Sequence, residues 1–557
     1  MSWESAMRFS GVLMASALCL APLATAADET SSLAVGYICS AEDHPVAAGS
    51  VRQLVMVKGV GTGGFAIATD KPEAQAWFDY GMQLAHAFYH SDAKLAFRKA
   101  QEIDPACAMC VWGEAWAAGP TINYGIDDKA AEALAVLADK AAKLGAGESP
   151  KNRALIAALE LRYATHDAAA DVAFARAMDA LSRRYPDDDE VAVMTSDAWL
   201  IPWAFYQDHQ GVDRAVEVLE PVLKRHPDNT AAIHFYIHAT EEAGRPALAL
   251  PYAQRLGELA PSASHLVHMA SHTFFAVGLY EDAAMANAHA IAVDGDYLRT
   301  VHDATPQGGV AYHSHDLRFG LASALASGDA RLGLRLADHT WFAYPGAAAD
   351  DAPGVVGQAY VVYGRYDPAR ALALPELGKT ASMAVALRHY ARGEAFAARG
   401  DIAGVRAEAA LTVAPENAFK GMSDKDRSVG QAVVEIARLT LQGRAAMLEG
   451  HPDAAATAYR GAVRLQDTRL TGPRLKDPPK WWFPERRSLA AALLAAGRPA
   501  QAAEEAEKAL KAWPLEPLTL QVLAKAERAQ GKTDAASRDL ARARRTWRGG
   551  DVPLPLT

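Results

Sequence analysis

Two short stretches carry most of the chemistry this chain could perform. "HFYIHATEE" begins at His234 and "HLVHMASH" begins at His265. Together they hold five histidines and two glutamates, Glu241 and Glu242. Imidazole is costly to bury without a partner, and neutral imidazoles three or four residues apart on one helix face can share a metal ion. From His234 to His315 there are nine histidines in 82 residues, where an even spread of the chain's 18 over 557 positions would give about 2.6. The excess requires a cause. The spacing is not that of a zinc-protease helix: Phe235 stands where HExxH needs its glutamate, and Glu241 lies seven residues past His234. GxSxG, a P-loop and a dinucleotide turn are also missing, and the glycines of "GVGTGGFA" lack the spacing of a phosphate loop.

The elements that position these residues follow from a repeat. In "WFDYGMQLAHAFYHSDAKLAFRKAQEIDP", the placement of Trp77, Gly81, Ala93, Phe97, Ala100 and Pro105 fits the 34-residue tetratricopeptide pattern of paired helices. Small residues let the two helices of a hairpin touch, and a proline ends the second helix. Further units end at "RRYPDD", "KRHPDN", "ELAPSA", "TVAPEN" and "KAWPLE". No stretch alternates as a strand would. The expected fold is all-α, a tetratricopeptide-repeat superhelical solenoid of antiparallel helix pairs.

Placing Pro261 at position 32 of its repeat puts Thr230 at position 1, His234 at 5 and His238 at 9. One repeat later Ser264 opens the next unit, with His265 at position 2, His268 at 5 and His272 at 9. Glu241 and Glu242 follow at positions 12 and 13. These positions share one face of the first helix, the face that lines the concave groove of such a stack. His86, at position 13 of the first clear repeat, lies further along it. The next turn glycine, Gly328, comes 50 residues after Gly278 rather than 34, so sixteen residues, roughly "DYLRTVHDATPQGGVA", are inserted. Counting back from Gly328 gives His315 position 2 and Arg318 position 5. The insertion, near 296–312, carries His302, Asp303 and a Gly308-Gly309 hinge, and reads as a lid over the groove. His44, His166, His209, His226, His289, His339, His389 and His451 read as surface or loop residues.

Composition bounds the remainder. A net charge of −10 with no basic run argues against nucleic-acid binding. "GVLMASALCLAPLATA" followed by Ala27 reads as a signal peptide over residues 1–26, too short to serve comfortably as a membrane anchor. The mature protein is then expected to be periplasmic or secreted. Residues 27–70 are a less regular lead-in, 71–470 the solenoid with its histidine-rich groove, and 471–557 a Pro- and Trp-rich connector with the last units. Cys107 and Cys110 are a disulfide or an inert pair in preference to metal ligands.

Stretches such as "AFRKAQEIDPACAMCVWGEAWAAGPTIN", the run from "AAIHFYIHATEEAG" to "AHAIAVD", "YHSHDLRF" and "PPKWWFPERRSLAAALLAAG" resemble a set of exported bacterial tetratricopeptide-repeat proteins. The likeness spans most of the mature chain and implies fold and export, with little on activity. It also implies a histidine where Arg318 stands here, so a permanent cation has replaced it, suited to an anionic group.

Two classes of function remain. In the first, His234, His238, His265, His268, His272 and His315, with His302 in the lid, hold a transition metal, copper or zinc and possibly iron. Glu241 and Glu242 then orient ligands or act as acid and base, Arg318 grips a carboxylate, and the chemistry is oxidation or hydrolysis of a small molecule. In the second, the groove is a periplasmic scaffold that grips a peptide or protein partner without metal. Metal storage or delivery is a third possibility.

Overall fold

The computed structural model describes residues 54–165, 167–206, 208–303, 307, 310–344, 353–376, 382–413, 419, 422–470, 478–550 and 552–557. The proposed signal peptide, His44, His166 and the Gly308-Gly309 hinge lie outside them, as does Pro415 of "TVAPEN".

Helices follow one another in pairs. They run α1 (Pro72–His86), α2 (His90–Ile103), α3 (Ala108–Ala117), α4 (Asp128–Leu144), α5 (Pro150–Arg162), α6 (Ala168–Arg184) and α7 (Asp189–Tyr206). Next come α8 (Val212–Arg225), α9 (Thr230–Glu242), α10 (Leu250–Leu259), α11 (Ser264–Ala276), α12 (Tyr280–Thr300), α13 (His313–Ser327) and α14 (Ala330–Ala343). The pairing continues to Thr533–Thr546, and no strand occurs among the described residues. The fold is the all-α tetratricopeptide solenoid.

The local causes are those the repeat requires. Gly81 lies flat against Phe97: a Cβ there would sit 2.7 Å from the Phe97 ring. Turns between paired helices use glycines with left-handed backbone, Gly278 (φ 86) and Gly328 (φ 76) among them. Pro105, Pro186, Pro227 and Pro261 each follow the end of a second helix. α9 begins at Thr230 and α11 at Ser264, the two predicted first positions.

Three departures from the expected layout matter for the site. First, the insertion begins as helix, its first five residues continuing α12 to Thr300. α12 has 21 residues where α2 and α8 have 14. Gly295 stands 34 residues after the stop proline Pro261, and glycine weakens a helix where proline would break it. Second, the groove wall is interior. α9 is buried at every residue from Thr230 to Thr240, and α11 at every residue from Ser264 to Thr273. A helix buried all round belongs to a core. Third, "GVGTGGFA" straps the stack. Gly59 accepts a hydrogen bond from the Ser262 amide (2.9 Å), and the Thr62 amide donates to Thr230 Oγ1 (2.8 Å). A Cβ on Gly61 would meet Thr230 Oγ1 at 2.7 Å, so the glycines serve close approach.

The described part of the connector is also core. Trp481 and Trp482 are buried, with ring centroids 4.1 Å apart.

Candidate metal centre

Six of the seven histidines singled out as ligands converge. His234, His238, His265, His268, His272 and His315 are each between 0% and 4% exposed. The expected open inner wall is therefore a sealed cluster. Phe88, just past the end of α1, stacks on His265 at 4.8 Å and meets His234 edge-on at 4.4 Å. Tyr312, at the start of α13, lies 4.5 Å from His265, and Phe319 lies 5.2 Å from His272. Phe88 (φ 60) and Tyr312 (φ 68) both have left-handed backbone, rare for aromatic residues. Such strain persists only where packing enforces it, and here it brings both rings over the cluster.

Within the cluster three groups of metal-competent side chains form, with ligand atoms in each within 4.8 Å of one another: His234–His238–His265, His268–His272–His315 and His238–Glu241–His272. The Nε2 atoms lie close. His265 is 3.2 Å from His234, His268 is 2.9 Å from His272, and His315 is 3.1 Å from His268. A tetrahedral ion bound at about 2.0–2.1 Å holds its nitrogens about 3.3 Å apart, so these spacings are nearly those of a ligand set.

Partners on the far side of three rings, those of His234, His268 and His272, fix the tautomer. Asn287 donates its amide Nδ2 to the Ala283 carbonyl (2.8 Å), which turns Oδ1 toward His268 Nδ1 at 2.6 Å. Asp316 Oδ1 lies 3.2 Å from the same nitrogen. Glu241 Oε2 is 2.9 Å from His272 Nδ1, and His234 Nδ1 donates to the His86 carbonyl at 2.7 Å. An oxygen acceptor on Nδ1 keeps the proton there and leaves Nε2 as a lone pair aimed inward. The Nε2 atoms of His272 and His315 both face His268 Nε2. A single proton satisfies one of these contacts, whereas a metal ion satisfies all three nitrogens.

Electrostatics keep the rings in their ligand form. Desolvation pushes His238, His265, His268 and His315 well below the ordinary imidazole pKa, and each is lowered further by neighbouring histidines. His234 is pushed down to about 3, again chiefly by burial. Neutral imidazole is the metal-binding form.

Other predicted residues fall outside this geometry. His302 is exposed just beyond α12 and belongs to none of the three groups, because the helical extension of α12 carries it to the surface. Glu242 is half-buried and is likewise in none of them. Arg318, half-buried one turn past His315, acts on the cluster through its charge, which together with that of Lys480 helps hold His315 neutral. His86 reaches the cluster through its carbonyl; its ring Nε2 meets Glu190 at 2.8 Å.

Sequence reasoning missed the ring orienters Asn287 and Asp316, the covers Phe88 and Tyr312, and a second imidazole pair. His313 Nδ1 is 2.6 Å from Asp294, and its Nε2 is 3.1 Å from that of His339. His339, read as a surface residue, is half-buried and lowered to about 4, mainly by desolvation. The "HSH" of 313–315 was the available signal, since alternate residues on a helix face opposite sides. Cys107 and Cys110 form a disulfide, which removes them as metal ligands.

No family model and no curated protein matches the chain. Among solved structures it is similar to an IFIT1 monomeric mutant bound to m7Gppp-AAAA, at 12% identity over 79% of this chain and 89% of that one, with a TM-score of 0.32. It is also similar to the Cut9–Hcn1 hetero-tetramer of the APC/C, at 12% identity over 83% and 78%, TM-score 0.28. The TPR domain of P58(IPK) aligns at 12% over 63% and 92%, TM-score 0.19.

Proposed function

We propose that this chain is an exported repeat metalloprotein that holds a transition metal, copper or zinc, among buried imidazoles. One observation carries the reading: His268 Nε2 lies about 3 Å from both His272 Nε2 and His315 Nε2, while oxygen acceptors occupy Nδ1 of His268 and His272. Imidazole nitrogen suits copper, zinc and iron, and the absence of thiolate from the set disfavours the softest ions. When bound, such an ion supplies Lewis acidity or redox chemistry. The residues of the chain orient the rings, keep them neutral and exclude water. The cavity beside Phe88, lined by His90, Trp116, Asp197 and Phe235, is about 10 Å³, room for one water. A disulfide at Cys107–Cys110 supports an oxidising compartment, in keeping with the leader expected over residues 1–26.

The test is elemental analysis of protein purified without chelator, beside a His234→Ala/His268→Ala double variant whose fold is checked by circular dichroism. Metal should be retained by the wild type and depleted in the variant. Equal metal in both would remove these residues from consideration.

A second reading rests on a separate feature. A surface groove of about 1210 Å³ runs between helices Ile402–Leu411, Asp424–Leu448 and Pro452–Arg469, edged by Arg406, Arg438 and Arg464. A periplasmic scaffold would take a peptide partner there. Peptide capture by the chelated protein, lost on Arg438→Glu, would favour it.

A further inference from the structure

We infer that the cluster holds two metal ions side by side, one in His234–His238–His265 and one in His268–His272–His315. The inference rests on the metalloprotein reading above and adds the number of ions and their ligand sets. Three overlapping groups form, but they contain only seven residues for nine ligand positions, because His238 and His272 are each counted twice. The third group draws on both shared histidines, and its carboxylate already engages His272 Nδ1. Setting it aside leaves one division of the six imidazoles into two complete trios with no residue in common.

A single ion does not gather these six. Six nitrogens around one ion at about 2.1 Å would all lie within about 4.3 Å of one another, and the sets that meet a 4.8 Å limit have three members. The trios are neighbours nonetheless. His265 and His268 have ring centroids 5.7 Å apart, and His238 and His272 5.6 Å. Each trio also has its own reason to want an ion. In the second it is the facing of His272 and His315 Nε2 on His268. In the first, His238 Nε2 and His265 Nδ1 are buried with no hydrogen-bond partner, and leaving such a group unmet costs about 1–3 kcal/mol. An ion on His238 Nε2 removes one of these two deficits. Three imidazoles leave a fourth position open on each ion.

The experiment is metal stoichiometry. Chelated full-length protein is loaded with zinc, desalted and assayed for zinc per chain, with folding followed by circular dichroism. The wild type is expected to hold two ions. His234→Gln/His265→Gln and His268→Gln/His315→Gln are each expected to hold one. A wild type that saturates at one ion overturns the two-site assignment, whatever the variants do. If that one ion is lost in Glu241→Gln, the occupied set is His238–Glu241–His272 instead. A wild type that binds no zinc and retains no copper on the same test sinks the metalloprotein reading beneath it.

Discussion

Removing the metal should leave a protein that fails in mild acid. Five rings, those of His234, His238, His265, His268 and His315, have folded pKa values depressed from 6.5 by burial. In the unfolded chain they titrate near 6.5. Below that pH the unfolded state therefore binds protons that the folded state does not, so stability falls as pH falls. The loss sets in as pH falls through 6.5 and continues down to the folded values, about 3 for His234. At pH 5.5 each ring still neutral in the fold contributes RT ln(1 + 10), about 1.4 kcal/mol, of lost stability. Five rings give roughly 7 kcal/mol, comparable with the whole stability of an ordinary domain, about 5–15 kcal/mol. Urea unfolding of the chelated protein, followed by circular dichroism at pH 7.5, 6.5 and 5.5, should show a midpoint that drops by the equivalent of about 2 kcal/mol between the first two and of about 5 kcal/mol more at the third. Zinc-loaded protein should shift the collapse to lower pH, because an ion that binds only the fold adds its own stabilisation. A urea midpoint unchanged between pH 7.5 and 5.5 would refute the reasoning, since the rings would then not be both buried and neutral.

Other perturbations act on single contacts. Asn287→Ala frees His268 Nδ1 from its fixed acceptor and should weaken metal binding by about 10–100-fold in a chelator competition, with little change in helix content. Glu485, fully buried with its pKa raised to about 7 by desolvation, binds a proton in the fold that the unfolded chain releases at 4.5. Stability from this group is lost as pH rises through that window, so Glu485→Gln should match the wild type at pH 4 and exceed it at pH 8 by up to about 3 kcal/mol in urea unfolding. Gly81→Ala drives a methyl to 2.7 Å from a fully buried Phe97 and should cost about 1–3 kcal/mol in the same assay, with Phe97→Leu relieving part of it.

Much of the cluster was legible because it is periodic. His268 is His234 plus 34 and His272 is His238 plus 34, and a repeat that stacks side by side must bring such pairs together. The starts of α9 and α11 followed from the same count. What the count could not supply are contacts that leave the period. His86 and Phe88 come from the end of α1, 148 residues before His234 in the case of the His86 carbonyl. Asn287 sits on the second helix of its pair, whose inward positions carried no chemical signal in the sequence. The surface position of His302 has a local reason: with no proline at Gly295, α12 keeps its hydrogen bonding through Thr300, so the helix carries His302 away, and Tyr312 and His313 reach the core.

That extension also explains why the site is closed. In a regular stack the concave faces of first helices stay open, which suits a peptide. Here α12 runs seven residues longer than α2 or α8, and the chain returns to α13 through Tyr312, whose hydroxyl accepts a hydrogen bond from Asn123 at 2.9 Å, 189 residues away in sequence. Phe88 arrives over the same rings from the opposite end of the sequence, and both aromatics adopt left-handed backbone, each at a cost of order 1–3 kcal/mol. A structural seam of histidines would gain nothing from two strained covers, since six apolar side chains would pack that space without the desolvation cost. Strain, burial and oriented lone pairs become mutually consistent once the imidazoles have a cation to face. For the proposed ions the two covers would act as lids do in other buried sites, holding water off the imidazole nitrogens.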